Sequence, residues 1–265
     1  MVFKVVILST VGASLIFNFA KSQNINVKAL KDMNEDELIN QFGEFIKKNG
    51  LNASAEINSL ERILQNLLSE GVRIDEIYLE FFISDTWEGE ICGRVLKANY
   101  EEKGFFVNVT TIRGLKYDAK EFLEQGLLSL VNELSERVFY HAREGRKVII
   151  NATGGFKAEA AYATLVGLIN RCEVYYIHEK FQEIVNLPPL PIKIDEEFWR
   201  KYGDIIDYIK EEKELSDVEK KFGERLKHVL LLAVVKEKDG AKKIRLGPAG
   251  IAFYLAAEEQ ALRRN

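Results

Sequence analysis

The chain contains little cysteine, histidine or proline, and the positions of these residues argue against several classes of site. Its 265 residues include two cysteines, three histidines and four prolines. Cys92 and Cys172 are far apart and form no CxxC pair, so we expect two reduced, buried thiols in a cytoplasmic protein. The histidines, at positions 141, 178 and 228, form no metal-spaced cluster with cysteines or carboxylates. We therefore expect neither a catalytic metal nor a cofactor.

The sequence also lacks an apolar run that is long enough to cross a bilayer. The most apolar stretch, from Val5 to Ile16, follows Lys4 and could be taken for a signal peptide. However, no clear small-residue cleavage site follows it, and polar or small residues interrupt it at positions 9, 10, 12 and 14. We interpret it as the first strand of a core, and we expect no association with a membrane.

Positive charge is not in excess either. The chain has 37 Lys and Arg residues against 41 Asp and Glu residues, which gives a formal net charge of −4 at pH 7. General nucleic-acid binders are usually basic overall. A polyanionic ligand would therefore need a local positive pocket. The length and the apolar fraction of 47% fit one α/β domain with a small appendage.

Three common catalytic or nucleotide-binding motifs are absent. The chain has no G-x-S-x-G elbow, no G-x-x-x-x-G-K-[ST] P-loop and no G-x-G-x-x-G fingerprint. It has instead two short segments of another kind. Thr10-Val11-Gly12-Ala13-Ser14 follows an apolar run that ends at Leu8, and Asn151-Ala152-Thr153-Gly154-Gly155-Phe156-Lys157 follows the run 147–150.

Each segment is typical of a strand that ends in a small, hydroxyl- and glycine-rich turn and opens a helix. Such a turn leaves backbone N–H groups unpaired, and the helix dipole favours negative charge at the same point. Two such turns at the ends of parallel strands would lie on one edge of one sheet. The two segments therefore predict a site for a ligand that carries phosphate.

Strand and helix signals alternate before residue 190, which predicts a mostly parallel sheet with helices on both faces. Strands are predicted at 3–9, 76–83, 105–111, 147–150 and 173–178, with an edge strand at 183–187. Helices are predicted at 34–49, 55–70, 87–103, 118–143 and 158–171. Three of the four prolines lie at positions 188, 189 and 191. They predict a boundary between a domain at 1–190 and a second at 191–265.

The second domain has the element order of a small winged-helix-like module. Helices are predicted at 196–213 and 216–226, strands at 229–235 and 243–246, and a last helix from Gly247. The turn between the strands is Lys238-Asp239-Gly240. The predicted wing is basic, with Lys236, Lys238, Lys242, Lys243 and Arg245.

Lys157 and Ser14 are the strongest candidates for contact with a ligand. A lysine in the first turn of a helix opposes the dipole by a few tenths of a kcal/mol or more, so Lys157 there indicates a bound anion. The alternative is a solvated surface lysine. Ser14 has two interpretations as well, because it can be a plain helix N-cap or a ligand contact.

Two further candidates follow strand ends on the same predicted edge. Trp87 comes after the cap Ser84-Asp85-Thr86, and it could stack on a base or simply pack in the core. Arg113 could meet a phosphate or be an exposed loop residue.

With these residues the chain resembles the CRISPR-associated Rossmann-fold (CARF) proteins. The resemblance rests on the pair of segments from Ser9 to Leu15, with Asn18, and from Asn151 to Lys157, and it covers roughly residues 1–190. It implies an α/β fold with a Rossmann-like, mostly parallel sheet and helices on both faces. The family commonly has threonine where Ala13 stands, so one ligand hydroxyl is expected to be missing.

CARF proteins bind cyclic oligoadenylates, most often cyclic tetra-adenylate, in a pocket across a two-fold homodimer. Some members, the ring nucleases, cleave the ring without metal by attack of a ribose 2′-OH, which leaves a 2′,3′-cyclic phosphate. The resemblance to these members implies catalytic roles for Lys157 and Ser14. It also implies a ligand-binding surface that includes Thr10, Val11, Gly12, Ala13, Asn18, Ser84, Asp85, Thr86, Trp87, Arg113, Thr153, Gly154, Gly155 and Phe156.

The second domain separates the branches of this family. Effector ribonucleases carry a HEPN domain with Arg-x(4–6)-His on a helix, and here only Arg171 to His178 has that spacing, inside the first domain. Winged-helix tails occur in ring nucleases and in transcription regulators. A regulator should present a basic recognition helix, but the predicted helix at 216–226 mixes acidic and basic residues. We therefore expect a ring nuclease. The alternative is a cyclic oligoadenylate-responsive transcription regulator or a non-cleaving sensor, with DNA as a possible partner of the basic wing.

Overall fold

The protein is described by a computed structural model that covers residues 3–177 and 183–262. The chain divides into two compact units, Met1–Pro189 and Leu190–Asn265. The division falls at the cluster of prolines. Among the described residues, no helix combines the length and the apolar character needed to cross a membrane.

The first unit contains a six-stranded sheet. Its strands are β1 Val5–Val11, β2 Ile77–Ser84, β3 Phe106–Ile112, β4 Lys147–Asn151, β5 Glu173–Ile177 and β6 Ile184–Leu187. The spatial order is β3-β2-β1-β4-β5-β6, and only β6 runs antiparallel to its neighbour. This confirms the mostly parallel α/β sheet predicted from the alternating signals. The strand predicted at 173–178 is described up to Ile177, and His178 lies outside the described residues.

Helices cover both faces of this sheet. They are α1 Ser14–Gln23, α2 Val27–Leu30, α3 Glu35–Asn49, α4 Ala55–Ser69, α5 Trp87–Glu102, α6 Ala119–Glu121, the π-helical turn Phe122–Gly126, α7 Leu127–Arg143 and α8 Lys157–Ile169, with 3-10 turns at Gly50–Asn52 and Ile74–Glu76. Alternate strand residues such as Ile7, Leu79 and Ile149 share one core with α1, α3, α4 and α5. Since side chains alternate along a strand, the other face packs against α7 and α8.

The amphipathic pattern of the helices determines which residues are buried. Helix α3 begins at the side-chain cap of Asn34 and buries its apolar stripe through Phe42 and Phe45. Helix α4 begins in the same way at Ser54 and buries Leu60 and its neighbours. Each such residue stabilises the fold by roughly 1.5–3 kcal/mol through the apolar surface that it removes from water.

The second unit contains helices around a three-stranded sheet. The elements are α9 Glu196–Tyr208, β7 Lys213–Glu214, α10 Leu215–Phe222, 3-10 turns at Gly223–His228 and Leu230–Leu232, β8 Ala233–Lys238, β9 Ala241–Leu246 and α11 Pro248–Leu262. The sheet order is β7-β9-β8, with antiparallel neighbours. The hairpin turn has Asp239 and Gly240 at φ 54° and 77°, as a type I′ turn requires.

Three predicted boundaries in this unit were wrong. The helix predicted at 196–213 ends at Tyr208, and residue 213 begins a strand. The helix predicted at 216–226 ends at Phe222, because Gly223 adopts φ 54° and stops it. The strand predicted from 229 begins at Ala233, since the apolar run before it forms a 3-10 turn.

Candidate functional site

The two glycine turns meet at the carboxyl edge of the sheet, between β1 and β4. The chain continues from β1 to one side of the sheet and arrives at β4 from the other, so this is the topological switch point of an open α/β sheet. Ligands of such folds usually bind in the crevice outside this point. The register pairs Ser9 with Asn151, which places the following turns side by side.

Glycine is required in both turns because their backbones touch. A Cβ on Gly12 would lie 2.6 Å from the backbone nitrogen of Gly155. A Cβ on Gly154 would lie 2.5 Å from the carbonyl oxygen of Thr10. These approaches leave no room for a side chain, so the turns form one continuous backbone surface.

A carboxylate from α4 lies against the first turn. Glu56 is 3% exposed, and its Oε1 accepts a hydrogen bond of 2.8 Å from the N–H of Gly12. Its Oε2 accepts one of 2.6 Å from the hydroxyl of Ser14. The prediction that the first turn keeps its N–H groups unpaired for a ligand was therefore wrong at Gly12, since an internal carboxylate binds there.

Ser14 is not the N-cap of α1. Ala13 occupies the cap position without a side-chain hydrogen bond, and Ser14 is the first helical residue. The Ser14 hydroxyl accepts a hydrogen bond of 3.0 Å from the N–H of Ala55 and donates its own proton to Glu56. A hydroxyl has two lone pairs. One lone pair of Ser14 thus remains for a further donor.

The second turn is capped by another buried carboxyl group. Glu159, in α8, is 1% exposed, and its Oε1 accepts a hydrogen bond of 3.1 Å from the N–H of Phe156. Its Oε2 is buried under Gly155, whose φ is 90°, and has no hydrogen-bond partner among residues 3–177 and 183–262. Burial raises the pKa of Glu159 to about 8, although the hydrogen bond from Phe156 opposes the shift, and the nearby Glu56 raises the pKa further. Glu159 is consequently protonated at neutral pH.

Lys157 is the exposed cation of the site. It is the first residue of α8, and within the described part of the chain its ammonium group makes no ion pair. The backbone N–H groups of Gly155 and Lys157 likewise have no hydrogen-bond partner among the described residues. The positive end of the helix, the free amides and the ammonium group together favour an anion at this turn.

An aromatic cluster borders Lys157, and the sequence did not reveal it. Phe156 contacts Tyr117 and Phe122 edge to face, with ring centroids 5.6 and 5.3 Å apart. Tyr117 is 60% and Phe156 40% exposed. Phe122 begins the π-helical turn, an uncommon element that often marks functional sites. Exposed rings at this edge could stack on bases.

Other predicted ligand residues serve the fold. Asn18 donates a hydrogen bond to the carbonyl of Ala53, and the Thr153 hydroxyl accepts one from the N–H of Ile177. Thr10 donates to the carbonyl of Gly154, and Val11 is buried at the end of β1. The hydroxyls of Thr10 and Thr153 thereby position the second turn.

The turn after β2 is also largely structural. Thr86 caps α5 through the N–H of Gly89 and shares a hydrogen bond with Ser84. Asp85 pairs with Lys116 at 3.2 Å. Trp87 packs against the core, with the ammonium group of Lys31 5.3 Å from the ring centroid, so the core interpretation of this tryptophan holds.

Arg113 lies after β3 and is exposed, with no hydrogen bond or ion pair to another described residue. Two grooves of the first unit lie elsewhere. Each has a volume of about 520 Å³; one is lined by α1 and α3 and the other mainly by α4. Neither groove contains a predicted site residue. The site is therefore located by the two glycine turns, the free backbone amides and Lys157 rather than by a groove.

In the described ranges, no three His, Cys, Asp or Glu side chains are arranged to hold a metal ion. His141 is buried against Arg146, whose guanidinium donates to its Nδ1 at 2.8 Å. Burial lowers the pKa of His141 to about 4, and the charge of Arg146 lowers it further. This histidine is therefore neutral and structural.

Sequence signals for the two missed carboxyl groups do exist. Glu56 stands one turn before Leu60 on the buried face of α4, where a charged residue needs a partner. Glu159 stands three residues after Phe156, the spacing at which a glutamate reaches back to an N-terminal N–H.

Comparison with solved structures finds a likeness to Can2 from Sulfobacillus thermosulfidooxidans in complex with cyclic tetra-adenylate. The identity is 11% and the TM-score 0.33, over 98% of this chain and 67% of that chain. A likeness at this score supports no conclusion on fold or ligand. The family model described as "CRISPR-associated protein (Cas_APE2256)" matches residues 51–190, more than half of the chain. The chain therefore belongs to this family of CRISPR-associated proteins.

Proposed function

We propose that this protein is a cytoplasmic ring nuclease that binds cyclic tetra-adenylate across a homodimer and cleaves it without metal. The proposal rests on membership of a CRISPR-associated family, on the resemblance of the two turns to CARF motifs, and on the site itself. The family match includes the second turn and Lys157 but not the first turn. Cleavage of the ring would end an antiviral signal.

The observation that carries the proposal is the position of Lys157. An exposed ammonium group that pairs with no described acidic residue lies at the N-terminus of α8, beside free backbone amides and at the switch point of the sheet. A phosphodiester fits this arrangement. Since Glu56 occupies the N–H of Gly12, we place the reacting phosphate over the free amides of Gly155 and Lys157 and its ribose beside Ser14.

The reaction needs little beyond positioning. The ribose 2′-OH attacks the adjacent phosphorus in line, and the products carry a 2′,3′-cyclic phosphate. Lys157 stabilises the charge that develops on the phosphorane-like transition state. Ser14 and the free amides of the second turn hold ribose and phosphate in attack geometry. Phe156 and Tyr117 would stack on an adenine.

A homodimer suits this ligand. A ring of four identical nucleotides placed on a two-fold axis presents the same half to each protomer. One exposed turn per chain would then contribute half of the pocket. Sedimentation velocity with and without the ring measures this assembly.

The second unit is proposed to have a supporting role. Its element order fits a winged-helix-like module, but the candidate recognition helix, predicted at 216–226, ends at Phe222 and gives way to 3-10 turns. In the hairpin, Lys238 and Lys243 pair with Glu212 at 3.5 and 3.9 Å, which reduces the positive charge offered to DNA. We therefore rank a ligand-responsive transcription regulator as the second candidate function.

The deciding experiment is incubation of the purified protein with cyclic tetra-adenylate in EDTA, followed by chromatography of the products. We expect linear products that end in a 2′,3′-cyclic phosphate. Intact ring after prolonged incubation would overturn the proposed cleavage activity. Ligand-dependent binding to a promoter duplex, measured in parallel, would then identify the regulator.

A further inference from the structure

Glu56 and Ser14 form a hydrogen-bonded pair that the proposed reaction has not yet used. The Ser14 hydroxyl donates to Glu56 Oε2 at 2.6 Å, a length that is typical of a charge-assisted bond to a carboxylate. The other carboxylate oxygen is held at 2.8 Å by the N–H of Gly12. Both oxygens are thus fixed, and the acid–hydroxyl pair is rigid.

The direction of the hydrogen bonds leaves Ser14 Oγ able to accept one more hydrogen bond. Its own proton points to Glu56, and one lone pair is used by the N–H of Ala55 at 3.0 Å. The remaining lone pair suits a hydroxyl donor such as a ribose 2′-OH. A phosphate oxygen has no proton to offer at this position, and Glu56 would repel it.

We infer that Glu56 is the proton acceptor of the cleavage step and acts through the hydroxyl of Ser14. This inference rests on the proposed function and deepens it, because it assigns a base to the site. The histidine described in the first unit, His141, is not that base, since it is buried against Arg146 near the end of α7, before β4 begins and therefore at the opposite edge of the sheet. Since Glu56 reaches the substrate only through Ser14, it is a positioning residue that also receives the proton.

One bond to phosphorus forms as another breaks, and each proton released has an acceptor. The 2′-oxygen forms a bond to phosphorus, while the bond from phosphorus to the 5′-oxygen of the next nucleoside breaks. The 2′-hydroxyl proton passes to Ser14 Oγ as the proton of Ser14 passes to Glu56 Oε2. The departing 5′-oxygen takes a proton from the ammonium group of Lys157. Afterwards Glu56 returns its proton and Lys157 regains one through water.

Few titratable groups face Glu56. From α8, Glu159 lies close enough for the two carboxyl groups to interact, and burial keeps Glu159 protonated at neutral pH. From α5, Cys92 and Tyr100 interact with the charge of Glu56. Burial raises the pKa of both, and the charge of Glu56 raises it further. These groups stay neutral between pH 5 and 7, and of these three described groups Glu159 is the one whose ionisation falls within the tested range.

The test measures the single-turnover rate constant and the ligand Kd of wild type and Glu56→Gln between pH 5 and 9. The glutamine can still accept from Gly12, but it cannot take a proton from Ser14. We expect a rate constant lowered about 100-fold or more, the usual contribution of a general base, with Kd changed less than about 3-fold. The variant should also gain rate with increasing pH as hydroxide replaces the base.

Two matched variants serve as controls. Glu61→Gln makes the same chemical change on the same helix, where the carboxylate pairs with Lys103, and it should cleave like wild type. Glu159→Gln shows whether the pH profile belongs to the other buried carboxyl group. A proton inventory in H₂O and D₂O mixtures needs no change at Glu56. The wild-type step moves three protons, two along the relay and one from Lys157. In the Lys157→Ala variant, which lacks that last transfer, the relay predicts two protons in flight.

The outcomes separate the inference from the function on which it rests. If wild type leaves the ring intact, the proposed function fails. If wild type cleaves while Glu56→Gln keeps both its rate and its pH profile, the inference alone fails. Should Glu56→Gln not fold, a linear proton inventory of Lys157→Ala overturns the relay and a curved one supports it.

Discussion

Thr10 donates a hydrogen bond of 2.7 Å to the carbonyl oxygen of Gly154, which lies 144 residues later in the chain. Thr10 is 1% exposed and stands near the end of β1. The bond fastens the turn after β4 to the neighbouring strand, next to the point where a Cβ on Gly12 would lie 2.6 Å from the backbone nitrogen of Gly155. Because the two turns are joined in this way, a change in one must displace the other.

Gly154→Ala should therefore destabilise the protein. A methyl group there would lie 2.5 Å from the Thr10 carbonyl, and relief of that clash would break the Thr10 bond. We expect a loss of about 1–3 kcal/mol in the free energy of unfolding. Gly43→Ala is the matched control, because a Cβ at Gly43, inside α3, meets nothing within 4 Å. It should stabilise by about 0.5–1 kcal/mol. Urea unfolding measures both, and equal effects would contradict this account.

The sheet was predictable from local patterns. Apolar runs such as Phe3 to Leu8 alternate with stripes at helical spacing, and a parallel sheet is the arrangement that buries both. The second unit was harder to predict because its elements are short. Leu230–Leu232 is apolar enough for a strand, yet it forms a 3-10 turn before β8. Local hydrophobicity alone cannot separate these states.

The site was predictable only in part. Lys157 and both glycine turns could be found because each is recognisable within a few residues of sequence. A glycine-rich segment follows an apolar run, and a lysine stands in the first turn of a helix, where the dipole disfavours it. The partner of Ser14 could not, since Glu56 is 42 positions away and reaches it only after α4 packs on the sheet. The aromatic cluster depends in the same way on a tertiary contact between Tyr117 and Phe156.

Lys157→Ala should slow ring cleavage. The ammonium group at the N-terminus of α8 is the one exposed cation that we place at the reacting phosphate, and charge stabilisation of this kind contributes roughly 10²–10³-fold to a rate. Single-turnover assays in EDTA measure the loss. Lys28→Ala, at an exposed position in α2, is the control and should leave the rate unchanged. Cleavage by Lys157→Ala at the wild-type rate would remove this lysine from the mechanism.

Tyr117→Ala should weaken ligand binding. Its ring is 60% exposed and lies against Phe156, so its removal deletes a stacking surface without opening the core. Stacking of a base on an aromatic ring is worth about 1–3 kcal/mol, or roughly 5- to 150-fold in Kd. Calorimetric titration with cyclic tetra-adenylate measures the change.

Tyr140→Ala provides the comparison for that experiment. Tyr140 is 55% exposed near the carboxyl end of α7, just before β4 begins, and therefore at the opposite edge of the sheet. It should bind the ring like wild type. If both tyrosine variants lose the same affinity, the stacking role of Tyr117 is wrong.

Glu159 should make the protein less stable as the pH rises. Burial raises its pKa to about 8 in the folded protein, from an ordinary value of 4.5. Below pH 4.5 the carboxyl group is protonated in both states, and between pH 4.5 and 8 only the unfolded chain releases the proton. Its contribution to stability is thus fully present at low pH and is lost as the pH rises through 8, at up to about 1.4 kcal/mol per pH unit.

Glu159→Gln should remove this dependence. The amide oxygen can still accept from the N–H of Phe156, and no group is left to ionise. Urea unfolding at pH 5, 6, 7 and 8 measures the free energy of unfolding of both proteins. The value for Glu159→Gln, relative to wild type, should increase at each step, by a few kcal/mol in total. Glu70→Gln, at an exposed position after α4, should keep the wild-type slope. Parallel curves for wild type and Glu159→Gln would mean that Glu159 is already ionised in the folded protein, and that the second turn holds a charge where we place a neutral acid.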